Sequence, residues 1–395
     1  MDLALRLVEF TDKNMLPILV LQTFVLLSAC GSAPERSVNG DPDADWPSLP
    51  ELDEKITEVM ESDGVAGLAA CIIDGGEVVW CGGYGQANPD SGMLATPSTP
   101  FMLASVSKAV TGMAVMQAVE DGALGLDDPI NDHLSFQVTH PDAPGADITT
   151  RQLMAHTSGI VDNWDALETH YVTGDSEEAL GDFLQGYLVP GGVDYDALEN
   201  FHPDGVGQVT EYSNSGAALA GYMVEAATGT PFDDYCQQGL FEPLDLNAGW
   251  HLADFDVEQV ASPTEYSGGE WQVVEHYGFP DYPNGQLRAD ARSMAVLLAA
   301  VSSGGTTLGT TLLETSSVDE MLRVQAPQLD EEQGLMWYQW QLDGETVIGH
   351  NGGEVGVSTE ILFRQSDGRG VVVLMNSEGG RSTLEEVEIA ALGAL

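Results

Sequence analysis

Along this chain the spacing of apolar positions alternates between a helical and a strand-like period. From Ser105 to Asp121 they fall at Val106, Val110, Met113, Ala114, Met116 and Ala118, close to the period of a helix. Gly122 follows where a left-handed residue ends such a helix. Leu52 to Asp63 reads as an amphipathic helix, and Gly216 to Thr228, Ala289 to Ser302 and about Thr383 to Leu395 read as further helices. Leu68 to Asp74 and Glu77 to Gly82 flank Gly75-Gly76, a two-residue turn signal, so residues 67–84 form a hairpin. Towards the other end Thr346 to Gly349, Val357 to Arg364 and Gly370 to Asn376 are β runs, with a turn at Ser366-Asp367-Gly368. Residues 161–345 mix helices with loops rich in Gly and Pro. Strands at both ends with helices between them predict an α/β chain of the α+β kind, its one sheet built from the two termini.

The segment Met15 to Leu27 is almost wholly apolar, interrupted at Gln22 and Thr23. It is short for a membrane span and of the right length for the core of a signal peptide. It ends in Leu27-Ser28-Ala29-Cys30, which resembles the lipobox of bacterial lipoproteins. Residues 1–30 are thus expected to be a lipoprotein-type signal with Cys30 as the lipidated residue, giving an exported protein held to a membrane and facing the periplasm or cell exterior. An ordinary cleaved signal is the alternative. Residues 31–50, rich in Ser, Pro, Asp and Gly, form a flexible linker, and residues 51–395 form the folded domain.

The charge balance narrows the partners. The chain holds 12 Lys and Arg against 63 Asp and Glu, a formal net charge of -51. Nucleic acid, which needs a basic footprint, is excluded. The acids are scattered along the chain, which predicts a heavily hydrated surface suited to a salty environment. Cys71 and Cys81 stand nearly opposite each other across the hairpin. They form either a cross-strand disulfide, as an exported protein permits, or a pair of small buried residues. No Cys/His spacing suggests a metal site, and no motif calls for a cofactor.

Against so acidic a background, Ser105-Val106-Ser107-Lys108 stands out. The lysines are Lys13, Lys55 and Lys108, and only Lys108 lies inside an otherwise apolar helix. Ser105 and Lys108, three apart, share one helical face. A serine hydroxyl needs a partner to take its proton, and a lysine whose pKa is lowered by burial can do so. The bland alternative is an N-cap serine beside a snorkelling lysine.

Further motifs follow in order. Tyr212-Ser213-Asn214 comes after Phe201-His202-Pro203-Asp204-Gly205, and His350-Asn351-Gly352-Gly353 lies near the end. His156-Thr157-Ser158-Gly159 and Pro243-Leu244-Asp245-Leu246 accompany them. With the Ser105 motif and Leu126-Asp127-Asp128-Pro129, these make the chain resemble the serine β-lactamase and penicillin-binding-protein superfamily. The closer likeness is to the β-lactamase-related branch of class C β-lactamases, D-alanyl-D-alanine carboxypeptidases, D-aminopeptidases and esterases. The resemblance covers about residues 50–395.

It implies a sheet flanked by helices, a mostly helical lobe over about residues 110–330, and a cleft between them. It also implies an acyl-enzyme on Ser105, with Lys108 or Tyr212 as the base and Asn214 positioning Lys108 and the substrate. His350, Asn351, Gly352 and Gly353 would bind substrate, with the backbone N–H groups of Ser105 and Gly353 as oxyanion hole. His156 is expected to hold its loop, and Trp164, Tyr277 and Tyr282 are candidates for lining the cleft. Histidine at 350, where other members carry a lysine, weakens recognition of a free carboxylate, because histidine is only partly charged near neutrality. The expected activity is hydrolysis of an ester or amide: a D-amino-acid peptide, a peptidoglycan fragment, a β-lactam or a small ester. The alternative is a binding module of the cell envelope that keeps the fold without the chemistry. The intact set of Ser105, Lys108, Tyr212 and Asn214 favours the enzyme.

Overall fold

The computed structural model describes residues 46–378 and 380–394. The expected signal segment 1–30, Cys30 and most of the linker 31–50 lie outside the described residues. The principal helices are α1 (Pro50–Asp63), α2 (Ser107–Glu120), α3 (Asn214–Thr228), α4 (Ala291–Ser302) and α5 (Arg381–Leu392). The central sheet is made of β1 (Gly67–Asp74), β2 (Glu77–Asn88), β3 (Met93–Leu94), β4 (Tyr338–Leu342), β5 (Glu345–Glu354), β6 (Val357–Arg364) and β7 (Gly370–Met375). These seven strands are antiparallel, in the order β4-β5-β6-β7-β1-β2-β3. The seam between the chain ends is the pairing of β1 with β7, from Leu68 opposite Met375 to Ile73 opposite Gly370.

Both faces of this sheet are covered, which explains why β1 is apolar at nearly every position. Alternate side chains point to opposite faces. Leu68, Ala70 and Ile72 join Val371, Val373 and Met375 in a core closed by α1 and α5 through Ile56, Val59, Leu384 and Val387. Ala69, Cys71 and Ile73 join Val372 and Leu374 in the larger core, which extends through α2, α3 and α4. The hairpin turns at Gly75 and Gly76, whose φ values of 59° and 80° lie in the region that a two-residue turn of this kind requires. Cys71 lies opposite Cys81 in the register, and the two sulfurs are bonded.

Three features differ from the sequence-based expectation. The strand expected to stop at Gly349 continues to Glu354, because its pairing with β6 persists to Glu354 opposite Val357. The glycines at 352 and 353 had hidden this by breaking the apolar pattern. Strand β4 was unforeseen, although Tyr338-Gln339-Trp340-Gln341-Leu342 alternates aromatic or apolar with polar residues. The second lobe is more broken than a helical lobe suggests. Its helices include pieces as short as Thr150–Met154 and Phe232–Cys236, and it carries a ribbon of Thr264–Ser267 paired with Glu270–Val273. Frequent Gly and Pro in this region stop each helix early.

Helix α2 is buried on every side, from Ser107 to Met116 and again at Ala118. A helix apolar all round belongs in a core, and α2 runs between the sheet and α3. A short 3₁₀ turn, Ala104–Val106, leads into it.

Candidate active site

Ser105 lies in that 3₁₀ turn, at the mouth of α2 and half-buried. The turn is pinned on both sides. The Leu103 N–H donates to Leu287 O at 2.9 Å, and Leu103 O accepts the Thr359 hydroxyl at 2.6 Å. The Leu287 N–H donates to Ser107 Oγ at 3.1 Å. Ala104, just before the serine, has a φ of 47°, a left-handed conformation that costs a non-glycine residue energy. Here packing imposes it, since Ala104 is fully buried.

Lys108 is 0 % exposed, and its ammonium has three neighbours. It donates to Ser105 Oγ at 3.1 Å, to Asn214 Oδ1 at 2.6 Å and to Asn284 O at 2.8 Å. Asn214 Oδ1 and Asn284 O are fixed acceptors, so they retain two of the three protons. The third position faces Ser105. Burial lowers the Lys108 pKa to about 7, against the smaller opposing pull of Asp162, Asp281 and Glu354.

Tyr212 completes the group from the other side. Its ring centroid lies 4.8 Å from Lys108 Nζ, and its hydroxyl is hydrogen-bonded to Ser105. Burial pushes its pKa up, so it rests as a neutral phenol. The residue is 45 % exposed, and solvent limits the rise. Neither nearby histidine is charged. His156 is pushed down to about 3 by burial and by Lys108, and so is His350.

The role expected of His156 takes concrete form. His156 O accepts the Glu211 N–H at 2.8 Å, its Nδ1 accepts the Ser213 N–H at 3.2 Å, and its ring lies 4.6 Å from the Tyr212 ring. It therefore brackets Tyr212. Ser213 caps α3 by accepting the Gly216 N–H.

The His350 motif splits by strand alternation. Ile348 belongs to the larger core and Val347 to the other face, so His350, Gly352 and Glu354 turn towards Ser105, while Asn351 and Gly353 turn away. His350 Nδ1 donates to Asn351 O at 2.6 Å. A Cβ at Gly352 would stand 2.5 Å from Leu103 O and 2.9 Å from Ser105 N, so only glycine lets the strand come this close. Strand β4 pairs with β5 only as far as Gly349, which leaves residues 350–354 with one unpaired edge. The Asn351 N–H points to that edge, where it meets the Tyr338 hydroxyl at 3.2 Å. N–H groups two residues apart share an edge, so the Gly353 N–H points there too. By the same alternation the Asn351 side chain turns to the far face, opposite Glu360, while its N–H stays at the open edge.

Of the aromatic candidates, Tyr277 packs beside the turn, in a cluster with Met102, Ala104, Phe279 and Val357. Tyr282 lines a separate cavity of about 210 Å³ with Trp250 and Gln286. Trp164 packs against the core of the lobe.

Three acids and one backbone carbonyl, that of Asn284, were missed in the sequence. Asp162 accepts from the Asn214 and Ser215 N–H groups at 2.8 and 3.0 Å, and so anchors the start of α3. Asp281 accepts the Asn284 side-chain amide at 2.7 Å and shapes the turn that offers Asn284 O to Lys108. Burial raises Asp281 to about 7. Glu354 Oε1 accepts the Tyr171 hydroxyl at 3.0 Å, and burial raises this carboxyl as well. Among the described residues no group of three or more His, Cys, Asp or Glu is placed to hold a metal, and no helix is long and apolar enough to cross a membrane.

A family model described as Beta-lactamase matches residues 52–394. "Protein flp" of Staphylococcus aureus (strain N315) is 27% identical over 199 residues, which are 50% of this chain and 37% of that protein. The chain thus spans well under half the length of this curated relative. The octameric penicillin-binding protein homologue of Pyrococcus abyssi superposes with a TM-score of 0.68 at 23% identity, covering 88% of this chain and 77% of that one. The D-amino acid amidase of Ochrobactrum anthropi SV3 superposes with a TM-score of 0.67 at 20% identity, covering 87% and 98%. At these identities the two superpositions establish the fold.

Proposed function

The chain belongs to the Beta-lactamase family, and from the groups at its cleft we propose that it is a Ser-x-x-Lys hydrolase cleaving an ester or amide through an acyl-enzyme on Ser105. The observation that carries this reading is the Lys108 ammonium, with two fixed acceptors and the serine as its third neighbour. When Lys108 loses a proton, the hydrogen bonds to Asn214 and Asn284 are kept and the lone pair faces Ser105 Oγ. A pKa of about 7 makes that state available at neutral pH.

Ser105 Oγ then attacks the substrate carbonyl while its proton passes to Lys108 Nζ. The negative charge that develops on the carbonyl oxygen is met by the N–H groups of Ser105 and Gly353. As the tetrahedral intermediate collapses, the bond to the leaving group breaks. Tyr212, neutral and hydrogen-bonded to Ser105, passes a proton to the departing nitrogen or oxygen and is resupplied from Lys108. Water attacks the ester by the same route in reverse and frees Ser105. Asn214 and Asn284 O keep Lys108 in line, and Asp162 and Asp281 hold those two groups. His350 carries no charge in its buried place, so the strand offers no cation to a substrate carboxylate. This favours esters and amides without a free acid next to the scissile bond.

The test is intact mass after incubation of the chain from Gly31 onward with a fluorophosphonate, a nitrophenyl ester and a chromogenic cephalosporin. A covalent adduct or turnover in the parent, absent in Ser105→Ala, is the expected result. A parent inert to all three probes would establish the binding module instead. We also propose that the chain is exported and anchored by lipid on Cys30. The apolar run before that cysteine supports this, and so does the bonded Cys71–Cys81 pair, which suits an oxidising compartment. Cys30→Ala should release the protein from the membrane fraction, and retention there would overturn the anchor.

A further inference from the structure

Strand β5 runs past the end of its outer neighbour because the chain ahead of β4 is drawn elsewhere. The Met336 N–H donates to Met154 O at 2.9 Å, the Trp337 indole N–H donates to Ala109 O at 3.2 Å, and Met336 has a φ of 60°. Strand β4 therefore begins at Tyr338, opposite Gly349, and no strand lies beside Asn351 and Gly353 on that side.

In an antiparallel strand the N–H and C=O of one residue point to the same edge. The first such pair on the open stretch is that of Asn351, and both of its groups have partners within the protein. The N–H donates to the Tyr338 hydroxyl at 3.2 Å, and the carbonyl accepts His350 Nδ1–H at 2.6 Å. The two rings support each other. Tyr338 meets His350 edge-on at a centroid distance of 5.2 Å and leans on Trp340 at 5.0 Å. The next pair on this edge, that of Gly353, lies two residues of strand rise farther on, about 7 Å.

This plug stands on the side of the leaving group. In the acyl transfer proposed above, Tyr212 delivers a proton to the departing atom, and the Tyr212 ring lies 6.4 Å from the ring of His350. A leaving group that continues as an extended chain past Tyr212 meets His350 and then the Asn351 position of the edge. Extended chains bind a sheet edge through main-chain hydrogen bonds. Here a peptide would have to displace both internal partners of Asn351, and each bond it gained would replace one that it broke. A short leaving group reaches neither.

We propose that Tyr338, supported by Trp340 and acting with His350, is a specificity-determining residue that closes the leaving-group end of the β5 edge. The site then releases short alcohols or amines and gains nothing from a peptide leaving group. The proposal rests on the Ser105 hydrolase reading and adds a limit on the departing half of the substrate. Bond making and breaking stay with Ser105, Lys108 and Tyr212.

The experiment measures kcat/KM for two uncharged acetyl esters with the same scissile bond, one of glycolamide and one of glycolyl-glycyl-glycinamide. Both are compared with p-nitrophenyl acetate in the parent, Tyr338→Phe and Tyr338→Ala. In the parent the longer ester should be cleaved no faster than the shorter. Tyr338→Phe frees the Asn351 N–H, and Tyr338→Ala also opens the space of the ring. The long-to-short ratio should rise about 3–10-fold in the first, as one recovered hydrogen bond allows, and at least as far in the second. The ratio is the readout, because a general loss from a shifted strand lowers both rates alike. Thermal melts check folding, and if Tyr338→Ala is unfolded, Tyr338→Phe carries the comparison. A parent that prefers the longer ester by more than about twofold would overturn the closure, and so would a ratio equal in the parent and every folded variant. Turnover of p-nitrophenyl acetate with neither glycolic ester cleaved would overturn it as well, since a short leaving group must be admitted. A parent that leaves the acetate and a fluorophosphonate untouched fails at Ser105 instead, which separates the two readings.

Discussion

Strands β5 and β6 carry a buried ionisable cluster on each face, and the two clusters are built differently. On the side of the larger core, Lys108 is ringed by acceptors and lies next to a half-buried serine and a tyrosine ring open to solvent. On the side closed by α1 and α5, Glu360 stands opposite Asn351 and meets Glu388 of α5, and each is 2 % exposed. The two carboxyls are hydrogen-bonded to each other, with Arg381 and Glu385 near the pair. Burial is the leading cause of the shift in both clusters. It lowers the lysine to about 7, raises Glu360 to about 7 and raises Glu388 well above its ordinary range. Displaced titration therefore does not by itself mark a reaction centre. Of these two clusters, the first alone sets its titrating group within hydrogen-bond reach of a serine hydroxyl, beside a solvent-exposed tyrosine.

The sharpest way to break this contrast is Lys108→Met. Acylation of Ser105 by a nitrophenyl ester should fall by about 10³-fold or more. In the parent, kcat/KM should rise with pH through about 7 as Lys108 becomes neutral, and the variant should lack that limb. A variant that keeps both rate and limb would remove Lys108 from the chemistry. Tyr212→Phe should cost less, about 10–100-fold, and most for substrates with poor leaving groups. An equal loss for an activated ester and an amide would argue against proton delivery by Tyr212.

The other face predicts a stability effect in place of a rate effect. Glu360 and Glu388 keep their protons to higher pH in the folded chain than in the unfolded one. Their contribution is thus full below the ordinary carboxylate range and is lost as pH rises through about 7. Glu388→Gln keeps a donor but removes a titrating group. It should flatten the fall in stability over that window by on the order of 1–3 kcal/mol, measured by urea unfolding, while the pH limb of kcat/KM stays near 7. If the limb moves with the stability curve, the two faces are coupled. The smallest effect expected is that of salt. With a net charge of -51, molar KCl should raise Tm by about 5 °C through screening of surface repulsion and leave both buried clusters titrating as before. A Tm indifferent to salt would count against the acidic surface as a salt adaptation.

The parts of the site legible in the sequence are those whose spacing is short. Ser105 and Lys108 are three residues apart on one helix, and Tyr212, Ser213 and Asn214 are contiguous, so local pattern sufficed. The hairpin was legible because Gly75-Gly76 specifies a turn, and the two-ended sheet because strand-like runs occupied both termini. Asp162, Asp281 and Glu354 carried no such signal. They are three acids among 63, brought in by loops and by a strand whose glycines interrupt its apolar pattern. Asn284 contributes a backbone carbonyl, which residue identity cannot reveal. The strand was ended too soon, at Gly349 instead of Glu354. Once β5 runs to Glu354, the alternation Ile348, His350, Gly352, Glu354 assigns the faces without further help.

The seam between β1 and β7 sets a timetable for the newborn chain. Gly67–Asp74 leaves the ribosome long before one of its two partners, Gly370–Met375. Until then the N-terminal hairpin has an open, strongly apolar edge of the kind that recruits wrong partners. The Ser105 turn is in the same position, since the Thr359 hydroxyl that pins it and the glycine strand beside it also arrive late. Pairings this distant along the chain close slowly. Hydrolytic competence should therefore appear only after Gly370–Met375 has emerged, in one step that assembles the sheet and the site together.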